Sequence, residues 1–282
     1  MTAAFTQDSN QLAAFVSEDV ATICRDFPGP PFADLSALCA ASLAPAREES
    51  APLLRRAAAH GEALAALAVR ARLTTPCARA FARAGAALPP PVARAVDAAR
   101  ARAAIANGRV MALARIAFPI LAQAGIAGLA FKGPFQQRLL HGDAFFCRSA
   151  DLDLLVAREN FAAALAAFEA AGFVRREGTS AWWTQALGEV HLVHPQGGVI
   201  DLHHRLQQPG CPPPRDLGAI LAGARRESLG GTEIVVPTRP QAVLIAALNF
   251  TKEFAHRRPS ARYAYDVAAG LPAMDAAEHE AG

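Results

Sequence analysis

The sequence contains few cysteines, and their spacing argues against a protein that depends on disulfides or zinc. There are five in 282 residues, an odd number, and none forms a Cys-x-x-Cys pair. Scattered cysteines of this kind are typical of free thiols in a reducing compartment, so we expect a cytoplasmic protein. The first residues, MTAAFTQDSNQLAAF, lack a basic start followed by a long apolar core, and we therefore expect no secretory signal.

Uninterrupted hydrophobic runs of membrane-spanning length are also lacking. The long apolar segment at residues 110–131 is interrupted by Arg115, Pro119 and Gln123. A charged side chain near the middle of a bilayer costs about 2.5–3.5 kcal/mol on insertion scales. The segment therefore predicts a buried amphipathic helix that runs into a strand, and we expect no membrane partner.

The chain has little excess charge of either sign. Lys and Arg number 28 against 25 Asp and Glu, which gives a net charge of +3, and 52% of the residues are hydrophobic. These values are those of a globular protein and are too small alone to indicate nucleic-acid binding. Residues 55–109 are an exception, since they hold ten arginines and two acids. That stretch indicates a solvated helical surface, with a phosphate-rich partner as the alternative.

The residue pattern changes near Gly125 and again near residue 238. Apolar residues recur at three- and four-residue spacing in the first part, which predicts a helical N-terminal region over 1–119. Short apolar runs alternate with helical patterns over 120–238, which predicts a mixed sheet flanked by helices. Residues 239–282 predict two helices and a loose tail. The predicted fold class is therefore α+β.

Two aspartates occupy an apolar segment, DLDLLV, that reads as a strand. Side chains alternate along a strand, so Asp151 and Asp153 point to the same face and repel each other. A divalent cation such as Mg²⁺ relieves this repulsion, because it binds carboxylate oxygens together with phosphate oxygens and water. Asp201, in the apolar run GVIDLHHRL, would join them if the two strands are neighbours. Alternatively, the pair caps a helix or binds an arginine, and Arg148 is three residues away.

The order of these motifs resembles a known family. Lys132-Gly133, a helix, the run RSADLDLLV from Arg148 and then IDLH from Ile200 are similar to the uncharacterised nucleotidyltransferase family of the DNA polymerase beta-like superfamily. The resemblance covers about residues 35–270 and is most specific in the middle. It implies a polymerase beta-like core between helical N-terminal and C-terminal regions.

The resemblance also implies a mechanism. Asp151 and Asp153 would bind two Mg²⁺, or Mn²⁺, that bridge a nucleoside triphosphate, and Asp201 would complete the second metal site. Lys132, Gly133 and Arg148 would bind the nucleotide. An acceptor hydroxyl would then attack the α-phosphorus in line and expel pyrophosphate.

The phosphate-binding turn departs from the superfamily pattern. That turn is usually Gly-Ser or Gly-Gly, whereas here Gly133 is followed by Pro134, which offers neither a hydroxyl nor an N–H. Lys132 would supply a point charge to the triphosphate in place of the serine. The alternative is that Lys132 is an exposed turn residue.

Four histidines lie near Asp201, in the segments GEVHLVH and GVIDLHHRL. Adjacent histidines alternate between faces, and so do His191 and His194, so no three obviously converge on a zinc ion. His203 shares the face of Asp201, and the resembled family has the same Asp-x-His. We expect His203 to support the metal site or contact the acceptor, with simple packing as the alternative.

The C-terminal helices carry basic residues near helical spacing. Lys252, His256 and Arg262 would line a cleft for the base and ribose, because the nucleotide must extend away from the sheet. Alternatively, these residues are solvated and Arg262 pairs with Asp266 one turn later.

The leading functional hypothesis is a Mg²⁺-dependent nucleotidyltransferase acting on a small-molecule, peptide or protein acceptor. A second hypothesis is a non-catalytic nucleotide-binding or regulatory module on the same fold, which Pro134 and the short C-terminal region suggest. A third is an RNA-modifying nucleotidyltransferase, with the arginines of residues 55–109 contacting the RNA backbone.

Overall fold

The computed structural model describes residues 30–43, 50–176, 184, 186–255 and 260–271. The start of the chain, where no secretory signal is expected, lies outside these residues, as do His256 and the C-terminal tail. The chain divides into two compact units. One comprises residues 1–97 with 256–261, and the other comprises residues 98–255 with 262–282. The division of the sequence at residues 119 and 238 stays a prediction.

The first unit is built from helices. They are α1 (Pro30–Leu43), α2 (Ser50–Ala59), α3 (Gly61–Arg70), α4 (Thr74–Arg83) and the start of α5 (Pro90–Gln123). Helix α1 packs against the three helices that follow it, and Leu38, Leu64 and Phe81 are fully buried. Arg56 also binds the buried Asp34, with 2.8 Å between Nη2 and Oδ1. Apolar residues at helical spacing thus form the core of this unit.

Helix α5 continues into the second unit and contributes its apolar face to that core. Leu113, Ala117 and Leu121 are buried there, and the chain then enters β1 (Gly128–Ala130). This is the buried helix leading into a strand that the sequence predicts. Within the described ranges, α5 is the one helix long and apolar enough to cross a membrane, judged by length and composition alone. Core helices of water-soluble proteins meet the same criteria, so this is weak evidence for a membrane span.

A mixed five-stranded sheet forms the centre of the second unit. The strands are β1, β2 (Leu152–Val156), β3 (Val174–Arg175), β4 (Glu189–Val193) and β5 (Val199–His203). Their order is β1-β2-β5-β4-β3. Only the β2–β5 pair in this sheet is parallel, and the other neighbours are antiparallel. With helices around this sheet, the predicted α+β class is confirmed.

The two faces of the sheet pack against different helices. Leu152, Leu154 and Ile200 face one core, which includes residues of α5 and of α7 (Phe161–Ala170). On the other face, Leu155 packs in a cluster with residues of α8 (Leu217–Ala222) and α9 (Arg239–Ala255). Since side chains alternate along a strand, Asp153, the neighbour of Leu152 and Leu154, lies on this second face.

The remaining elements of the described residues are two α-helices, a 3₁₀ helix and a hairpin. Helix α6 (Gly133–His141) follows β1, and a 3₁₀ helix (Arg158–Asn160) precedes α7. The hairpin consists of β6 (Arg225–Leu229) and β7 (Thr232–Val236), and α10 (Ala261–Gly270) completes the described chain. The sequence predicts α6, α7, α9 and α10, whereas α8 and the β6–β7 hairpin have no specific counterpart in those predictions.

Candidate active site

The parallel pairing of β2 and β5 brings two of the predicted carboxylates together. Asp153 stands opposite Asp201 in the register of this pair. The residues next to each aspartate along its strand, such as Leu154 and Leu202, are fully buried in the core on the opposite face. Burial of these neighbours therefore fixes the face on which the carboxylates lie.

The antiparallel pairing of β4 with β5 adds two further polar side chains. His191 stands opposite Asp201, and Glu189 stands opposite His203. Nδ1 of His191 makes a close contact with Oδ1 of Asp201. His203 lies between two carboxylates, because its Nδ1 is 3.4 Å from Oε2 of Glu189 and its Nε2 is 3.4 Å from Oδ1 of Asp153.

Lys132 reaches the same place from the end of β1. Its Nζ donates a hydrogen bond to Oδ1 of Asp153 at 2.9 Å, and it lies 4.9 Å from the ring centroid of Phe131. The backbone turns at Gly133, whose φ of +66° is in the left-handed region that favours glycine. A Cβ at this position would lie 3.4 Å from Oγ of Ser149. The Lys-Gly sequence therefore fits a tight turn that directs Lys132 to the carboxylates.

Charge pairing keeps Lys132 and Asp153 ionised. Burial alone would raise the pKa of Asp153, but the nearby ammonium of Lys132, helped by His203, brings that pKa far below its usual range. Burial likewise disfavours the charged form of Lys132, and the Asp153 carboxylate raises the pKa of this lysine above its usual value. Lys132 is therefore a largely buried partner of the site rather than an exposed turn residue.

Asp151 lies immediately before β2 and interacts with the same charges. Burial, followed by the charges of Asp153 and Asp201, raises the pKa of Asp151 to about 7. Three carboxylates thus influence one another, and only part of their repulsion is offset by Lys132. Such a surplus of negative charge suits a bound cation.

One group of side chains has metal-binding geometry. Asp153, Asp201 and His203 each offer one ligand atom, and these three atoms all lie within 4.8 Å of one another. Nε2 of His203 is buried and makes no hydrogen bond within the described residues. Two carboxylate oxygens and an imidazole nitrogen are suitable ligands for a divalent cation, so these residues fit the metal that the sequence predicts. Asp151 is not part of this compact group.

The other basic residues predicted for the site occupy different positions. Arg148 is exposed on the segment before β2. Lys252 lies on α9, where burial, followed by the charge of Lys132, lowers its pKa, while the charges of Glu189 and Asp153 oppose this effect. The charges of the site therefore act on the ammonium of Lys252.

Arg262 forms the ion pair with Asp266 that the sequence offers as the alternative to a place in the cleft. It is buried and pairs with Asp266, with 3.3 Å between Nε and Oδ2. Asp266 also contacts His141, since Nε2 of this histidine lies 2.7 Å from Oδ1. The structure therefore places Arg262 in a buried ion pair within α10, and the contact of Asp266 with His141 joins α10 to α6.

Sequence reasoning missed the contributions of Glu189 and His191. The alternation in GEVHLVH places both on one face, and the short turn after β4 indicates a hairpin with β5. From sequence, the spacing of His191 bears only on a zinc site, and no motif indicates a role for Glu189. The hairpin register was the signal that pairs these residues with Asp201 and His203.

Comparison with known proteins gives one family match. The family model of an uncharacterised nucleotidyltransferase matches residues 58–278, which include every predicted site residue. A crystal structure of an antigenic nucleotidyltransferase-like protein from Paracoccidioides brasiliensis is similar at 16% sequence identity, over 58% of this chain and 76% of that chain, with a TM-score of 0.39. No curated protein matches. Because the family match extends over most of the sequence, the chain belongs to the uncharacterised nucleotidyltransferase family.

Proposed function

We propose that this protein transfers a nucleoside monophosphate from a nucleoside triphosphate to a hydroxyl group of a small molecule, peptide or protein. The observation that carries the proposal is the parallel register of Asp153 and Asp201 beside Lys132. Bound divalent cations, Mg²⁺ or Mn²⁺, would neutralise the phosphate charge and stabilise the entering and leaving oxygens. Cytoplasmic localisation is part of the same proposal.

The protein's own residues would position the triphosphate and receive a proton. Asp151, Asp153 and Asp201 are the proposed metal-binding carboxylates. Lys132 and Arg148 would bind phosphate oxygens, and Asp201, held in contact with His191, would take up the proton of the acceptor hydroxyl. The hydroxyl oxygen would form a bond to the α-phosphorus as the bond to the bridging oxygen breaks, which releases pyrophosphate.

The first turn of α6 supports phosphate binding despite Pro134. Proline is favoured in the first helical turn, where backbone N–H groups have no partner inside the helix. It therefore removes one donor and leaves the following N–H groups of that turn. The positive end of the helix dipole would favour the triphosphate next to Lys132.

Helix α9 is the proposed cover for the base and ribose. It packs on the face of the sheet that carries the aspartates, through Ile245 and Leu248. Lys252 lies on the same helix, and the charges of Lys132 and Asp153 act on its ammonium. We include Lys252 and Arg262 among the nucleotide-binding residues. Their substitution by alanine tests this assignment through the apparent constant for the triphosphate.

Pyrophosphate release, or transfer of labelled nucleotide, tests the proposal with each of the four triphosphates and a panel of hydroxyl acceptors. We expect Asp153→Asn and Asp201→Asn to reduce turnover at least about a hundredfold, because both remove charge that acts on the reacting phosphate. Glu233→Gln is the control, since Glu233 forms an exposed ion pair with Arg226 on the β6–β7 hairpin. Full activity in Asp153→Asn would contradict the assigned site.

Pro134 also supports a second candidate, a non-catalytic nucleotide-binding module. In that case, Mg²⁺ with a triphosphate would raise the melting temperature, yet none of the acceptors would be modified. The RNA-modifying alternative requires RNA binding that weakens steeply with salt. Its proposed contact surface includes Arg56 and Arg94, which form ion pairs with Asp34 and Glu62 within the protein.

A further inference from the structure

One nitrogen of His203 is buried and unsatisfied while it faces a carboxylate. The residue is 5% exposed, and its Nε2 makes no hydrogen bond among the residues that the structure describes. The same atom is 3.4 Å from Oδ1 of Asp153. Buried polar nitrogens are almost always hydrogen-bonded, whereas this one has only a long 3.4 Å contact with an anionic oxygen, so a closer partner such as a cation would complete its environment.

The surroundings of His203 fix the orientation of its ring. Its other nitrogen, Nδ1, faces the buried carboxylate of Glu189 at 3.4 Å. Phe131 packs edge-on against the ring, with 5.2 Å between the centroids. Histidines that bind metals usually donate their second ring N–H to a carboxylate or carbonyl, which directs the free lone pair to the ion. Glu189 is placed for that role.

We propose that His203 is a direct nitrogen ligand of the cation at Asp153 and Asp201, oriented by Glu189, and that this site favours Mn²⁺ over Mg²⁺. The ligand atoms of the three residues lie within 4.8 Å of one another. Mg²⁺ strongly prefers oxygen ligands, whereas imidazole nitrogen suits first-row transition ions. The inference rests on the metal site of the proposed function and assigns one ligand and one class of ion to it.

Two neighbouring histidines provide matched controls. His191 contacts Asp201, but it does not belong to the compact group of ligand atoms. His204 follows His203 in the chain and packs edge-on against Phe161, with 4.7 Å between ring centroids. Substitution of either residue therefore removes an imidazole close to the site without removing the proposed ligand.

Electron spin echo spectroscopy of the protein loaded with Mn²⁺ tests the ligand directly, without any measurement of activity. We expect nitrogen modulation from a coordinated imidazole in the natural protein, in His191→Gln and in His204→Gln, and its loss in His203→Gln. Labelling the histidines with ¹⁵N should replace the ¹⁴N pattern in the unsubstituted protein, which tests nitrogen ligation even if His203→Gln fails to fold.

Metal affinity provides the second measurement. Titration with Mn²⁺ and Mg²⁺ separately should give tighter binding of Mn²⁺, and His203→Gln should reduce the ratio of the two affinities at least about tenfold. Glu189→Gln should keep the nitrogen modulation but weaken Mn²⁺ binding about 10–100-fold, because it removes the group that orients the ligand.

The outcomes separate the two proposals. Bound Mn²⁺ without nitrogen coupling, or coupling that disappears in His191→Gln and persists in His203→Gln, would overturn the assignment of His203. Either result would leave the metal-binding carboxylates and the proposed transferase activity intact. Failure to bind either ion, with or without a triphosphate, would overturn both this inference and the metal-dependent function.

Discussion

Lys132 and Asp153 neutralise each other at the centre of the site. Their side chains are 19% and 11% exposed, and the ammonium donates a hydrogen bond to the carboxylate at 2.9 Å. Removal of one partner of a buried ion pair leaves the other charge without compensation, which costs more than the pair itself contributes to stability. The same lysine is proposed to bind phosphate, so its substitution is expected to affect both stability and nucleotide binding.

We predict that Lys132→Gln lowers the free energy of unfolding by about 3 kcal/mol in the absence of metal. A divalent cation should restore part of this loss, because it would neutralise Asp153 in place of the ammonium. Urea unfolding with and without Mg²⁺ measures the effect. Lys252→Gln is the control and should cost less than about 1 kcal/mol, since burial and the charge of Lys132 already lower the pKa of Lys252. Equal losses in the two variants would contradict the assigned ion pair.

The buried thiol of Cys77 predicts a loss of stability at high pH. Burial raises its pKa from 9.0 to about 12. Below about pH 9 the thiol is protonated in both the folded and the unfolded chain, so it contributes no pH dependence. Above that pH only the unfolded chain releases the proton, and the free energy of unfolding therefore falls until the pH passes the folded pKa.

We expect Cys77 alone to account for a loss of about 2 kcal/mol between roughly pH 8 and pH 10.5, from 1.36 kcal/mol per pKa unit. Urea unfolding at the two pH values measures this loss. Cys77→Ala should show a smaller decrease than the natural protein, and Cys211→Ala should retain the full decrease. An identical decrease in all three proteins would show that Cys77 does not cause it.

At the scale of elements, close packing between helices outweighs helix propensity at Gly270 in α10. A Cβ at this position would lie 2.5 Å from Cγ2 of Val243 in α9 and 2.9 Å from Cδ2 of Leu140 in α6. Gly108 in α5 differs, because a Cβ there would meet no atom within 4 Å. The two glycines therefore separate the effect of packing from that of helix propensity.

We predict opposite effects for alanine at the two positions. Gly270→Ala should lower the free energy of unfolding by about 1–2 kcal/mol, because overpacking exceeds the gain in propensity. Gly108→Ala should raise it by about 0.5–1 kcal/mol, since alanine is favoured in a helix. Thermal or urea unfolding of both variants provides the measurement. Stabilisation by Gly270→Ala would contradict the close contact of α10 with α6 and α9.

The elements around the site could be predicted because local patterns specify them. Alternating apolar residues indicate β2, β4 and β5, and Gly142 ends α6 in the left-handed conformation that glycine commonly adopts at the end of a helix. The β6–β7 hairpin was missed because the segment RRESL of β6 is charged and largely exposed. Its pairing depends on contacts with residues distant in the sequence, which no local pattern contains.

The site itself was predictable in its residue types and less so in its contacts. The alternation within each strand shows which face of that strand carries Asp153 or Asp201. Only the order of the strands in the sheet shows that β2 and β5 are neighbours. The ion pair of Arg262 with Asp266 was an alternative that spacing alone could not decide, because helical residues four apart can also point to a cleft. Glu189 needed the register of the β4–β5 hairpin.

At the scale of the whole molecule, the carboxylates and Lys132 belong to the second compact unit. That unit contains all strands of the five-stranded sheet as well as α9, whereas helices α1 to α4 belong to the first. A ligand that binds only the folded state stabilises the elements it contacts, by about 2.7 kcal/mol at a concentration a hundred times its dissociation constant. The elements that a ligand stabilises therefore show where in the chain its binding site lies.

We therefore predict that Mn²⁺ with a non-hydrolysable triphosphate slows amide hydrogen exchange mainly in β2, β4, β5, the start of α6 and α9. Exchange in α1 to α4 should change less, because these helices carry none of the proposed ligands. The measurement is peptide-resolved hydrogen exchange by mass spectrometry, with Asp153→Asn as the control that loses the effect. Protection confined to α1 to α4 would contradict the proposed location.

The strict alternation of β2 and β5 also determines which changes of length the chain can accept. Deletion of one residue within β5 would move Asp201 and His203 to the face now occupied by Ile200 and Leu202, and would place those apolar residues among the carboxylates. Insertions in relatives are therefore expected in the turn at 194–198 and in the connection at 204–216, where no such alternation is imposed. Within these strands, relatives are expected to differ by substitutions and not by insertions or deletions.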